Sequence, residues 1–161
     1  MAAIDTSRIY VLKNSYTSLN KILALSSNGT SLSMVDAHSV SANALWFLTP
    51  TTMNNYYRLH TIVNGVKQSL DVINDGVENI NVHMADTGNF SGQFWRFDNW
   101  SPGGQSYPYR LSNTFTGPDK HLDVYSDTFV AHLACDNLSG QHWELSPAST
   151  VVTPTDMSTS N

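Results

Sequence analysis

Three tryptophans, Trp46, Trp95 and Trp143, stand 49 and 48 residues apart. This near-constant spacing constrains the fold more than any other feature of the chain. A period of this length marks an architecture built by repetition, in which one unit cannot bury its own apolar face and needs its neighbours. Three further elements keep the same period. Each unit opens on Tyr10-Val11-Leu12, Tyr57-Arg58-Leu59 or Tyr109-Arg110-Leu111. Next come Leu23-Ala24-Leu25, Leu70-Asp71-Val72 and Leu122-Asp123-Val124. Then follow Leu32-Ser33-Met34-Val35, Val82-His83-Met84-Ala85 and Ala131-His132-Leu133-Ala134. The tryptophans close Ala44-Leu45-Trp46, Ser91-Gly92-Gln93-Phe94-Trp95 and Ser139-Gly140-Gln141-His142-Trp143.

The elements are short, often with apolar residues at alternate positions, as half-buried strands require. Polar and glycine-rich breaks such as Asn74-Asp75-Gly76 and Thr116-Gly117-Pro118-Asp119 separate them. No window carries a helical period. Four short strands in each of three units predict an all-β chain of about twelve strands closed around a common axis. A β-trefoil fits, with six strands as a barrel and six as capping hairpins, whereas a three-bladed propeller falls below the usual minimum of blades. The leucine and tryptophan positions then form the core. The trefoil is expected over residues 1–146, with repeats at roughly 8–50, 55–100 and 107–146. Residues 147–161, rich in Ser, Thr and Pro and without an aromatic, read as a C-terminal tail or as an arm packing on a neighbouring subunit.

Composition narrows the function. The chain is 40% hydrophobic and only 13% charged, with a formal net charge of −5 and no basic cluster. Nucleic acid is therefore excluded as a partner, since phosphate neutralisation carries most of such affinity. No run approaches the roughly 18 apolar residues of a membrane span. The lone Cys135 precludes an internal disulfide, and the N-terminus lacks a signal-peptide pattern. A cytoplasmic location is expected, with release by a non-signal route as a further option.

Leu-Asp-Val early and Gln-x-Trp late, in units of about fifty residues, resemble the ricin B-type lectins, the short fungal members above all. The resemblance covers roughly residues 8–146. It implies shallow pockets for terminal sugars, commonly galactose or N-acetylgalactosamine, and it implies roles for particular residues. In the second unit these are Asp71, Asn74, His83, Asn89 and Gln93; in the third they are Asp123, Ser126, His132, Asn137 and Gln141. Their chemistry suits sugar binding. A carboxylate accepts sugar hydroxyls in charge-assisted hydrogen bonds, amides both donate and accept, and a ring lies against the C–H face. Alternatives stay open. The aspartates also suit turn caps, the glutamines suit holding the aspartates as well as direct contact, and the histidines and asparagines suit plain surface roles. Trp100 lies outside the repeat, as an exposed contact or a lid over the barrel.

The first unit departs from the pattern. Ala24 replaces the aspartate, Ala44 the glutamine, Ser33 the histidine and Val40 the asparagine, so no working pocket is expected there. Asn89-Phe90-Ser91 and Asn137-Leu138-Ser139 satisfy the N-glycosylation rule, and a glycan on either would block the expected pockets. No HExxH, paired-cysteine, phosphate-loop or nucleophile-elbow motif is present, so neither an enzyme nor a metal or other cofactor is expected. The expected function is reversible binding of glycans or glycoconjugates, which a homodimer would extend, with defence against animals as one purpose. The competing class is a trefoil protease inhibitor or other protein-binding trefoil, which needs no repeated acid and amide.

Overall fold

In a computed structural model, residues 4–18, 20–38, 40–100 and 106–151 are described. Six strands close into a barrel: β1 (Arg8–Asn14), β4 (Trp46–Pro50), β5 (Tyr56–Thr61), β8 (Trp95–Asn99), β9 (Tyr109–Asn113) and β12 (Trp143–Val151). Around it the order is β1-β12-β9-β8-β5-β4. The other six form three hairpins, β2 (Lys21–Leu25) with β3 (Leu32–Asp36), β6 (Gln68–Val72) with β7 (Val82–Asp86), and β10 (His121–Val124) with β11 (Ala131–Ala134). This is a β-trefoil, as the repeat predicts. Closure leaves the barrel without a free edge.

One interaction explains why the Leu-x-x and tryptophan elements travel together. Each tryptophan is fully buried, and its indole N–H donates to the backbone carbonyl of the leucine in its own unit. The distances are 2.9 Å for Trp46 to Leu23, 3.0 Å for Trp95 to Leu70 and 2.9 Å for Trp143 to Leu122. A buried indole N–H must find a partner, and here the partner ties each hairpin to its barrel strand. The tryptophans also pair in register with the tyrosines of the repeat, Trp46 with Tyr10, Trp95 with Tyr57 and Trp143 with Tyr109. The hairpins are in turn linked head to tail by backbone bonds, Met34 N–H to Phe129 O at 2.9 Å, Met84 N–H to Thr30 O at 2.9 Å and Leu133 N–H to Ile80 O at 2.7 Å. The threefold axis is thus closed at the cap as well as in the barrel.

One boundary differs from expectation. β12 continues to Val151, pairing Pro147 with Tyr10 and Val151 with Arg8. The start of the expected tail is therefore a barrel strand, because β1 extends far enough to pair with it. Composition alone hides this, since pairing through backbone atoms needs no apolar alternation. Residues 152–161 lie outside the described residues.

The barrel wall holds a neutral imidazole. His60 on β5 is 1% exposed, stacks on Phe47 with ring centroids 5.0 Å apart, donates from Nδ1 to Gln68 O at 2.8 Å and accepts the Thr49 hydroxyl at Nε2 at 2.7 Å. Burial pushes its pKa down to about 4, against the opposing pull of the Gln68 carbonyl. The unfolded chain takes up this proton near pH 6.5, so the stability due to neutral His60 is complete above that pH and is lost as pH falls toward about 4. The full loss is on the order of 3 kcal/mol. His121, held down to about 4 by burial and by Arg110, acts in the same direction. Urea unfolding between pH 7 and pH 4 should show this decline; a flat profile contradicts it.

Candidate functional site

The hairpins set each aspartate opposite its histidine. The register pairs Asp71 with His83 across β6 and β7, and Asp123 with His132 across β10 and β11. In the first repeat it pairs Ala24 with Ser33. Because side chains alternate along a strand, Leu70 and Leu122 fill the core while the aspartates face the opposite way. A 3-10 turn, Ser91–Gln93 or Ser139–Gln141, then packs over the carboxylate. Asp71 accepts the Val72 N–H at 2.8 Å and Gln93 Nε2 at 3.0 Å; Asp123 accepts the Val124 N–H at 2.7 Å and Gln141 Nε2 at 3.3 Å. The glycine of Ser-Gly-Gln is required by this packing. A methyl group at Gly92 would run into Asp71 Oδ1 and lie 3.2 Å from the Val72 nitrogen, and one at Gly140 would run into Asp123 Oδ1.

Both glutamines expected as sugar contacts, Gln93 and Gln141, are 0% exposed, with their amides turned onto the aspartates. Gln93 also donates to Asp86 O at 2.9 Å and accepts the Gly88 N–H at 3.1 Å. Gln141 donates to Asp136 Oδ1 and accepts Arg110 Nη2 at 2.9 Å. Behind the glutamine stands the arginine of the opening element. Arg110 donates further to Asp136 O at 3.0 Å and to His121 Nδ1 at 2.9 Å. Arg58 donates to Gly88 O at 3.0 Å and lies over the Phe94 ring at 5.0 Å. Arg110 holds its glutamine directly, Arg58 acts one step away by fixing the Gly88 peptide whose N–H Gln93 accepts, and in both repeats the glutamine holds the carboxylate.

The first repeat replaces this relay wholesale. Ala24 and Ala44 join Ile22 in a small buried cluster, and Val11 packs against it. Val11 stands where Arg58 and Arg110 stand, Ala24 where the aspartates stand and Ala44 where the glutamines stand. Exchanging all members of a buried polar group for apolar ones is close to neutral, whereas exchanging one strands the rest. The arginine was visible in the sequence as the difference between Tyr-Arg-Leu and Tyr-Val-Leu, which follows the aspartate copy by copy.

Two clefts open over the aspartates. The second-repeat cleft, about 490 Å³, is lined by Asp71, Asn74, His83 and Asn89, together with Ile73, Phe90 and Phe115. The third-repeat cleft, about 320 Å³, is lined by Asp123 and Ser126, together with Tyr16, Val124, Tyr125 and Leu138. Two expected residues are not in it. His132 is 8% exposed because Tyr125 lies flat on its ring, centroids 3.7 Å apart and planes at 8°. Asn137 is hydrogen-bonded through Oδ1 to His142 Nε2 at 3.0 Å and does not line the cleft. His142, its pKa lowered chiefly by burial, stacks in turn on Trp100 at 3.7 Å. Trp100 also donates to Tyr107 O at 2.8 Å.

Aromatic walls contributed by the following repeat were missed from the sequence. Phe115 and Tyr16 each stand six residues after the opening tyrosine of the next unit, counted cyclically. Asn113 Oδ1 accepts the Phe115 N–H at 3.0 Å, and Asn14 Oδ1 accepts the Tyr16 N–H at 2.9 Å. Asn14 also donates to Gly140 O at 2.6 Å, and Thr114 donates to Ser91 O at 2.7 Å, fixing each wall to its cleft. The shared Asn-x-aromatic spacing was the available signal. Each finished cleft offers a fixed anionic acceptor beside an apolar or aromatic surface.

No family model and no curated protein matches the chain. Solved structures do match in fold. A designed 3-fold symmetric protein, ThreeFoil, aligns with TM-score 0.68 at 23% identity, over 86% of this chain and 97% of that one. A GlcNAcα1-4Gal releasing endo-β-galactosidase from Clostridium perfringens aligns with TM-score 0.69 at 16% identity, over 88% of this chain and 33% of that one. The lectin of Polyporus squamosus, solved bound to Neu5Acα2-6Galβ1-4GlcNAc, aligns with TM-score 0.68 at 16% identity, over 88% of this chain and 49% of that one. This chain thus spans about a third of the galactosidase and half of the lectin, and the likeness is one of fold.

Proposed function

We propose that this protein is a carbohydrate-binding lectin of ricin B-like character, with one site in the second repeat and one in the third. One observation carries the proposal. Asp71 and Asp123 are each held at an open cleft by a buried glutamine, which an arginine braces directly in the third repeat and through the Gly88 peptide in the second, and the first repeat replaces all of these together. A solitary carboxylate that capped a turn would need no such support. Held this way, it presents remaining lone pairs to a pair of sugar hydroxyls, and the neighbouring ring faces take the C–H side. Galactose-type terminal sugars are the proposed ligands. The mechanism is recognition without chemistry.

Each shallow site binds weakly, and two sites on one rigid body raise avidity for clustered glycans by about 10²–10⁴. A cytoplasmic setting suits the second site, because Asn89 is both a sequon residue and part of the cleft wall, so a glycan there would fill it. Fold neighbours that include a lectin solved with a galactose-containing glycan support the proposal. A glycan array tests it. Binding concentrated on terminal galactose or N-acetylgalactosamine is the expected result, and no binding to any glycan sinks it.

A further inference from the structure

The two clefts share one plan and are finished differently. In the second repeat His83 lines the cleft, and among the described residues its imidazole makes no side-chain hydrogen bond. In the third the matching His132 is sealed under the Tyr125 ring, with Nδ1 buried and unpartnered. Tyr125 stands two residues after Asp123, where the second repeat carries Ile73 after Asp71. Beside Ile73 the His83 imidazole stays half-buried in the cleft wall, whereas Tyr125 covers that of His132. Tyr125 is itself 39% exposed and lines the third cleft, which measures about 320 Å³ against about 490 Å³. Tyr16 and Leu138 flank the third cleft, as Phe115 and Phe90 flank the second; the difference is that the second cleft adds the side chains of His83, Asn74 and Asn89, where the third adds Ser126.

Resting on the sugar-binding reading, we propose that Tyr125 divides the specificity of the two sites. The third site takes a sugar carrying a methyl group, as an N-acetyl or 6-deoxy substituent. The second takes an unsubstituted, hydroxyl-rich sugar. The chemistry follows from the walls. A methyl group loses water favourably against Tyr125, Tyr16 and Leu138 while Asp123 holds the hydroxyls. In the second cleft the same methyl group would leave amide and imidazole groups without partners, which costs affinity.

Calorimetry on two single variants separates the sites. Asp71→Asn leaves the third and Asp123→Asn the second, and each is titrated with galactose, N-acetylgalactosamine and 6-deoxygalactose. The third site should bind one or both methyl-bearing sugars about fourfold more tightly than galactose, the gain for burying one methyl group, and the two sugars show which substituent it reads. The second site should bind galactose at least as tightly as either. Tyr125→Ile in the Asp71→Asn background, which copies the second repeat, should erase the third site's preference. Identical rankings at the two sites, or a preference that survives Tyr125→Ile, overturns the division while sugar binding stands. So does a wild type that binds array glycans but none of these three sugars. A wild type that binds no glycan at all overturns the sugar-binding reading, and the division with it.

Discussion

Asparagine at both Asp71 and Asp123 should abolish sugar binding and leave a folded trefoil. The substitution keeps shape and removes charge. Each charge-assisted hydrogen bond to a sugar hydroxyl is worth roughly 1.5–3 kcal/mol, so losing two at one site weakens it by about a hundredfold or more. The fold tolerates the change at moderate cost. Oδ1 continues to accept the next residue's N–H. The other carboxylate position becomes an amide NH₂ facing the glutamine Nε2, which costs about 1–2 kcal/mol per site. A glycan array and calorimetry report binding, and circular dichroism reports the fold. Each single variant should retain the other site. Binding at wild-type strength in the folded double variant refutes the assignment of the aspartates.

The second large effect concerns the repeat that is expected not to bind. Ala24→Asp should destabilise the protein by about 3–5 kcal/mol, the cost of a buried charge without a partner. Ala24 is 1% exposed in an apolar cluster with Ile22, Ala44 and Val11, none of which donates a side-chain hydrogen bond, and across the hairpin it pairs with Ser33, which carries no charge. Val11→Arg and Ala44→Gln added to Ala24→Asp rebuild the relay of the other repeats and should recover most of the loss, because partners are restored together. Urea unfolding measures both. An Ala24→Asp variant as stable as wild type shows that the first site is not sealed, and a triple variant no better than the single one shows that the relay does not act as a unit.

The threefold layer of this protein is written in the sequence almost without loss. Leucine and tryptophan recur because one hydrogen bond and one core position recur, so the period exposes barrel and hairpins alike. The aspartates and their apolar replacement in the first repeat are legible for the same reason, as differences between aligned copies. What the sequence hides are the contacts made across repeats and out of register. Tyr125 covers His132 through packing, and no pattern of residue types distinguishes a covered histidine from an open one such as His83. Phe115 and Tyr16 reach their clefts from the next repeat, so alignment within a unit places them elsewhere. Gln93 and Gln141 look like ligand groups by type, and only burial shows them to be supports. The strand at 147–151 pairs through backbone atoms, which side-chain composition does not report.

The central claim is that a threefold fold carries a twofold function. Counting bound sugars per chain by calorimetry, with the best monovalent ligand from the array at saturating concentration, tests it most directly. Two sugars per chain is the expected value. Three would mean that the first repeat binds despite its apolar core at Val11, Ala24 and Ala44, and would contradict the claim; one would mean that the relay does not by itself define a site.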